Sequence, residues 1–378
     1  MPRLQVRAKA REQKYEIHIG RGVLSDAGRL ARIRLGKLAR RVVVVSNETV
    51  FSLYGSRVLE SLQTHGFEVS QWLIGEGERA KSLRTVEKLV HFLHETQLER
   101  GDAVVSLGGG VVGDIAGFAA SIYLRGLPLI QLPTTLLAQI DSSVGGKTGV
   151  NLSRGKNLLG SFHQPTAVLI DIDTLATLPA RERTAGWCEC VKQGAVSSRK
   201  LFNETTDYLK TCGMNELIFS SQLEQLIAAH CLFKAEIVRQ DELEDPTRRD
   251  HRSRRILNFG HTIGHALEST TKYKRFRHGE AVGYGVLAAG EISKNLGLLS
   301  ESELELLTHA VRLCGPLPAA KDLDVNAVIS AIAHDKKRIA GHVQWVLLER
   351  IGRPRIVSGK EISGALLSKS LRQVFQPR

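Results

Sequence analysis

Hydrophobic positions in the first half of the chain fall into short runs separated by amphipathic stretches. Leu4, Val6 and Ala8, followed by Tyr15 and Ile17, alternate with polar neighbours in the manner of half-exposed strands. Residues 42–45 form a continuous apolar run, and 103–107, 129–132 and 167–170 are similar, interrupted only by Ser106 and Gln131, as expected of parallel strands buried on both faces. Between them, Val86, Leu89, Val90 and Leu93 recur at helical spacing. This strand–helix–strand repetition predicts a doubly wound, Rossmann-like α/β domain.

The pattern changes near residue 178. Apart from an apolar run at 343–348, strand-like segments cease and helical spacing takes over, as in Leu223, Leu226, Ile227 and His230. Leu178-Pro179 is a natural junction, because proline often opens a helix. The expected organisation is an α/β nucleotide-binding domain over residues 1–178 and an all-α metal- and substrate-binding domain over 179–378. A length of 378 residues suits two domains. There is no internal repeat and no low-complexity segment.

Composition narrows the function. No apolar stretch is long enough for a transmembrane helix, and residues 1–11 are polar and basic without the apolar core of a signal peptide. The five cysteines form no CxxC pair, so a reduced, cytoplasmic protein is expected. The net charge of +13 raises the question of nucleic acid. The sharpest cluster is Arg248, Arg249, Arg252, Arg254 and Arg255, without aromatic interleaving, zinc-finger spacing or an RNA-binding motif. Anionic small-molecule ligands account for basic residues equally well, and no nucleic-acid or membrane partner is expected.

The candidate chemistry begins after the run at 103–107. Gly108, Gly109, Gly110 and Gly113, followed by Asp114, lie between a predicted strand and an apolar helix at 115–120. Glycines there let backbone approach a phosphate, and the helix N-terminus favours negative charge. The spacing is not a clean GxGxxG, and a tight turn is the competing reading. Thr134 and Thr135 follow the next strand, where their hydroxyls could contact ribose or phosphate or cap a helix. The segment 141–151, DSSVGGKTGVN, and then Gly155-Lys156-Asn157, present two lysines and an asparagine on glycine-rich backbone. That set suits an oxyanion, although an exposed loop is the plainer reading. Gly146-Lys147-Thr148 resembles the end of a phosphate-binding P-loop, but the upstream glycine is missing.

Glu189 and Lys192 share one face of a predicted helix, most commonly a surface ion pair. His261 and His265, at i,i+4, also share a face, and His278 follows. HxxxH without an intervening glutamate is not the zinc-protease signature. One glutamate with two or three histidines in a helical domain is nonetheless a standard catalytic zinc set with an open position.

Three strings carry a family resemblance: PTTLLAQIDSSVGGKTGVN from Pro133, GKNLLGSFHQP from Gly155 and NFGHTIGHALE from Asn258. The chain resembles the 3-dehydroquinate synthase family of the sugar phosphate cyclase superfamily over most of its length. The resemblance implies a divalent metal, zinc or cobalt, held by Glu189, His261 and His278. It implies NAD bound by Gly110, Gly113 and Asp114 with Asn47, Glu78, Lys81, Thr134, Thr135, Asp141, Lys147 and Lys156. It assigns substrate and catalytic positions to Asp141, Lys147, Asn157, Lys192, Lys234, Arg254, Asn258 and His265, with Lys336 and Lys337 as a late lysine motif. Arg125 matches an arginine that reaches a neighbouring subunit, which implies a homodimer. Asn47 stands where many relatives carry aspartate, the stretch from Lys234 to Arg254 is longer than usual, and Trp187-Cys188 replaces smaller apolar residues. Ligation by Cys188 or Cys190 is conceivable beside Glu189, but core packing is the preferred reading.

The activity so implied converts a phosphorylated seven-carbon keto-sugar acid to a carbocycle, 3-dehydroquinate. It proceeds by transient oxidation with NAD, phosphate elimination, reduction, ring opening and intramolecular aldol closure. Rival cyclases that close other sugar phosphates lose parts of the anion-binding set, whereas Lys234, Arg254, Asn258 and His265 are all present here. Metal-dependent polyol dehydrogenases of similar architecture typically use aspartate as the acidic ligand and lack the 142–151 string.

Overall fold

The computed structural model describes residues 13–152, 155–212, 221–333, 338–339 and 342–376. The expected strand at Leu4, Val6 and Ala8 lies outside them, as do Lys336 and Lys337. Eight strands precede residue 172: β1 (Glu16–Gly20), β2 (Arg41–Asn47), β3 (Glu68–Ile74), β4 (Ala103–Gly108), β5 (Leu129–Pro133), β6 (Lys147–Leu152), β7 (Gly155–Phe162) and β8 (Ala167–Asp171). The helices among them are α1 (Ala27–Leu35), α2 (Glu48–Thr64), α3 (Leu83–Glu95) and α4 (Gly110–Ile122). Six strands form one sheet in the order β1-β8-β5-β4-β2-β3, and every pairing in it is parallel.

Both faces of the sheet are covered, which explains the apolar runs. Val42, Val44, Val105 and Leu107 pack on one face with residues of α1 and α2. Val43, Val45 and Val104 pack on the other with residues of α3 and α4. The strand order reverses between β2 and β4, and an open α/β sheet binds ligands at the carboxyl ends of strands beside such a point. Asn47, Gly108 and Pro133 end β2, β4 and β5, and Thr134 N donates to Gly108 O at 3.0 Å, tying the last two ends together. The 141–151 segment, read as loop-like, instead enters an antiparallel hairpin of β6 and β7 outside the main sheet.

The remainder is helical: α5 (Ala180–Ser197), α6 (Arg199–Cys212), α7 (Ser221–Gln240), α8 (His261–Thr270), α9 (His278–Asn295), α10 (Glu301–Leu313), α11 (Val325–Ala333) and α12 (Gly364–Phe375). The apolar run at 343–348 forms a strand in a small sheet of β9 (Arg338–Ile339), β10 (His342–Arg350) and β11 (Arg353–Ser358). The largest hydrophobic cluster joins the two halves, uniting Val168 and Ile170 of β8 with Val191 of α5 and Ile263 of α8. Among the described residues no helix is long and apolar enough to cross a membrane.

Two glycines let α5, α8 and α9 approach closely enough to bring their polar residues together. A Cβ at Gly279 would stand 1.9 Å from Ala185 O of α5, and one at Gly285 would stand 1.9 Å from Gly260 O, just before α8. Either overlap would force backbone apart.

Candidate active site

Glu189 projects from α5, His261 begins α8 and His278 begins α9. One ligand atom from each lies within 4.8 Å of the others. Glu189 Oε1 stands 3.7 Å from His261 Nε2 and 3.5 Å from His278 Nε2, too long for good hydrogen bonds. Tetrahedral ligands around an ion bound at roughly 2.1 Å stand about 3.4 Å apart, so the spacing fits a shared divalent metal. The rings are oriented to match. His261 Nδ1 is 3.2 Å from Phe259 O and His278 Nδ1 is 3.2 Å from Glu268 Oε2, which leaves both Nε2 atoms facing Glu189. His265 completes the imidazole group, its ring 5.8 Å from that of His278.

The Glu189–Lys192 pair is no surface ion pair. Both side chains are 1% exposed, and Lys192 Nζ sits 2.7 Å from Glu189 Oε2. It also approaches Asp141 Oδ2 at 3.4 Å. Lys234 of α7 donates to Asp141 Oδ1 and to the Asp141 carbonyl. Asp141 lies on a π-helical turn, Ala138–Ser142. Burial raises the Asp141 carboxyl, but Lys234 and Lys192 outweigh it and hold the group well below the usual carboxylate range. Burial lowers the Lys192 ammonium, yet Glu189 and Asp141 more than compensate and raise it. Lys234 is lowered by burial despite Asp141.

A second network reaches the sheet. Lys156 Nζ is 3.0 Å from Glu268 Oε1 and 3.5 Å from Glu78 Oε1. Lys81 pairs with Asp114 of α4 and donates to Asn157 Oδ1. Asn151 Nδ2 donates to Glu78 Oε1 at 2.7 Å, and Asn151 Oδ1 accepts from Asn157 N at 2.9 Å. Nearby, α4 begins after Gly109 with no side chain capping it, so its first N–H groups are available to an anion. Gly113 has a packing reason as well, since a Cβ there would meet Gln131 Oε1 at 2.8 Å. Asn47 Oδ1 accepts from Val50 N at 2.9 Å and so caps α2, while Thr135 Oγ1 accepts from Ala138 N at 3.2 Å. The uncapped helix end beside Lys81, Glu78 and Asp114 fits a pyrophosphate-containing dinucleotide.

A third group surrounds Glu244. Its carboxylate pairs with Lys147 and accepts from Asn258 Nδ2 at 3.0 Å. Arg254 lies on a 3-10 turn, Arg254–Asn258, and is 2% exposed. It donates through NH2 to Gly145 O at 2.8 Å and through NH1 to Glu242 O at 2.6 Å. Arg255 points instead to Pro246 O at 3.0 Å and Arg248 O at 3.3 Å. Arg125 stands on the exposed turn after α4 with φ 68°, apart from the groups above. Cys188 and Cys190 are buried core residues. Cys314 pushes the Cys188 thiol up and burial pushes the Cys190 thiol up, which disfavours thiolate ligation.

Sequence reasoning did not single out Glu268, Glu244 or Asn151. For Glu268 a signal existed: with His261 and His265 it lies at i, i+4, i+7, one face of α8.

Solved structures of like fold are a 2-epi-5-epi-valiolone synthase from Streptomyces hygroscopicus, with NAD+ and Zn2+ bound, and a 2-deoxy-scyllo-inosose synthase complexed with carbaglucose-6-phosphate, NAD+ and Co2+. The first is 26% identical with a TM-score of 0.85, covering 98% of this chain and 99% of that one. The second is 26% identical with a TM-score of 0.82, covering 95% and 96%. Fold and site together define a sugar phosphate cyclase. Family models described as 3-dehydroquinate synthase N-terminal and 3-dehydroquinate synthase C-terminal match residues 71–185 and 186–338. A 3-dehydroquinate synthase from Nostoc punctiforme is 42% identical over 367 residues, 97% of each chain. The chain belongs to the 3-dehydroquinate synthase family.

Proposed function

We propose that the chain converts 3-deoxy-D-arabino-heptulosonate 7-phosphate to 3-dehydroquinate and phosphate, using NAD and a divalent metal, zinc or cobalt. The observation that carries this reading is the convergence of Glu189, His261 and His278 beside the buried Lys192–Asp141–Lys234 chain. NAD would supply a reversible hydride acceptor, and the metal would supply Lewis acidity at the oxygen of the ring alcohol that is oxidised. Gly110, Gly113, Asp114, Lys81, Glu78, Thr134 and Thr135 would hold the dinucleotide, and Asn47 would offer its amide N–H groups to the ribose.

The chain's own residues orient and hold protons. Lys192 keeps a proton at Nζ between two carboxylates, where it can donate to a substrate hydroxyl. Asp141 fixes Lys192 and Lys234 in place and aligns hydroxyls near the nicotinamide. Lys147, Lys156, Asn157, Asn258 and His265 form the anion pocket, with Arg254 for the substrate carboxylate. Fixed cationic partners reduce the entropy cost of reaction. The departing phosphate can itself accept the proton lost on elimination, so a separate general base is not required.

The division at residue 178 is supported by the end of the parallel sheet at Asp171 and the start of α5 at Ala180. A homodimer follows if Arg125 completes a neighbour's site. A cytoplasmic setting accords with five free cysteines. The substrate test compares the seven-carbon keto-acid phosphate with a hexose 6-phosphate lacking the acid. Phosphate release from the first alone is expected, and turnover of the hexose 6-phosphate in its place would move the chain to the inosose-forming cyclases.

A further inference from the structure

Glu268 has no role in the reading above, yet it is 3% exposed and both its oxygens are engaged. Oε2 lies 3.2 Å from His278 Nδ1, on the opposite side of the ring from the Nε2 that faces Glu189. Oε1 lies 3.0 Å from Lys156 Nζ, and Lys156 in turn approaches Glu78 at 3.5 Å. A carboxylate on the far nitrogen of a metal-binding imidazole fixes its tautomer and ring orientation and raises its basicity.

We propose that Glu268 is a positioning residue: it holds the Nδ1 proton of His278, presents Nε2 to the metal, and joins the metal triad to Lys156 of the anion pocket. The inference rests on the assignment of Glu189, His261 and His278 as ligands. The structure also holds an alternative, because His265, Glu268 and His278 offer ligand atoms within 4.8 Å of one another. In that arrangement Glu268 itself would bind the ion. Glu268 Oε1, however, lies 3.0 Å from the Lys156 ammonium, a cation that disfavours a second cation on the same carboxylate, and Oε2 lies within hydrogen-bonding distance of Nδ1. Glu189 Oε1 meets two imidazole nitrogens at ligand–ligand spacing instead.

The test measures zinc affinity by chelator competition on the purified full chain, for wild type, Glu268→Gln, Glu268→Ala and Glu189→Gln. Loss of a metal-ligand's outer partner typically weakens binding by about 10–100-fold, and that range is expected for Glu268→Ala. Glutamine keeps an oxygen that can accept from Nδ1–H, so Glu268→Gln should recover most of the loss. Cobalt-substituted Glu268→Gln should keep the wild-type visible absorption bands, because no ligand has changed. Metal-free Glu268→Gln and Glu268→Ala should keep the wild-type far-ultraviolet circular dichroism at the assay temperature, which separates a local effect from misfolding. Wild-type zinc affinity in Glu268→Ala would overturn the proposal. So would shifted cobalt bands in Glu268→Gln, which would make Glu268 a ligand. If Glu189→Gln alone keeps wild-type affinity, the ligand assignment fails instead, which is a distinguishable result.

Discussion

Replacing Asp141 by asparagine removes a negative charge shared by two buried ammoniums. In the intact protein Asp141 pairs with Lys234 and stands 3.4 Å from Lys192, which is 1% exposed. At that distance and an effective dielectric constant of about 20, one ion pair is worth roughly 5 kcal/mol before desolvation is counted. Breaking a buried pair by removing one partner costs about 3–5 kcal/mol, because the remaining charge is left uncompensated. Asp141→Asn should therefore lose about 3–5 kcal/mol at neutral pH. The assay is urea unfolding followed by tryptophan fluorescence, since Trp187 is buried on α5 two residues from Glu189. The pH dependence has a defined sign. The folded carboxyl is depressed, so its stabilisation is complete above the unfolded value near 3.9 and disappears as pH falls through the folded value. The gap between wild type and Asp141→Asn should hold from neutrality to about pH 4 and then narrow. Lys234→Met should destabilise the wild type, yet raise stability in the Asp141→Asn background by relieving like-charge repulsion. A loss below about 1 kcal/mol, with no recovery from Lys234→Met, would refute the electrostatic reasoning.

Glu189→Gln and His261→Ala should each abolish turnover and strip metal, and full zinc occupancy by elemental analysis in both would remove the assignment. Arg254→Lys should raise the Michaelis constant and lower turnover while NAD affinity stays near wild type, because a single ammonium cannot reproduce the guanidinium fork. Arg255→Lys should leave kinetics near wild type, since Arg255 NH1 is directed at the Pro246 and Arg248 carbonyls of the turn, whereas Arg254 reaches Gly145, two residues from Lys147; steady-state kinetics reversing this order would exchange the two roles. His230 is fully buried between Gln193 Oε1 and Thr205 Oγ1, each at 3.1 Å. Burial, with Lys192 adding, pushes its imidazole down to about 3, so it should contribute stability that is present above about pH 6.5 and lost as pH falls towards 3. His230→Asn should flatten that limb of the stability curve, and an unchanged slope would contradict it.

Much of this architecture was legible because burial on both sheet faces leaves a plain signature. The apolar runs at 42–45, 103–107, 129–132 and 167–170 all fall in β2, β4, β5 and β8. Strand β3 gave no such signal, being an edge strand with only Ile74 fully buried. The β6–β7 hairpin was hidden because its glycines read as loop. They serve close strand approach, since a Cβ at Gly149 would meet Leu159 O at 2.6 Å and one at Gly160 would meet Thr148 O at 2.0 Å. In the site, helical spacing revealed that His261 and His265 share a face, but it could not reveal that Glu189 and Lys192 are buried. Burial there comes from α5, α8 and α9 packing at glycine contacts, a tertiary fact. Glu244 was likewise invisible, because its tie to Lys147 and Asn258 depends on how the long turn between α7 and α8 folds back.

The central claim is a redox-neutral, phosphate-eliminating ring closure that uses NAD catalytically. Its most direct test supplies the zinc-loaded protein with excess 3-deoxy-D-arabino-heptulosonate 7-phosphate and a trace of NAD, then follows three quantities together. Released phosphate and 3-dehydroquinate should rise in equal amounts, far beyond the NAD present, while NADH stays at a small steady level. NADH accumulating in step with substrate consumed, without phosphate release, would contradict the account and make the chain a dehydrogenase.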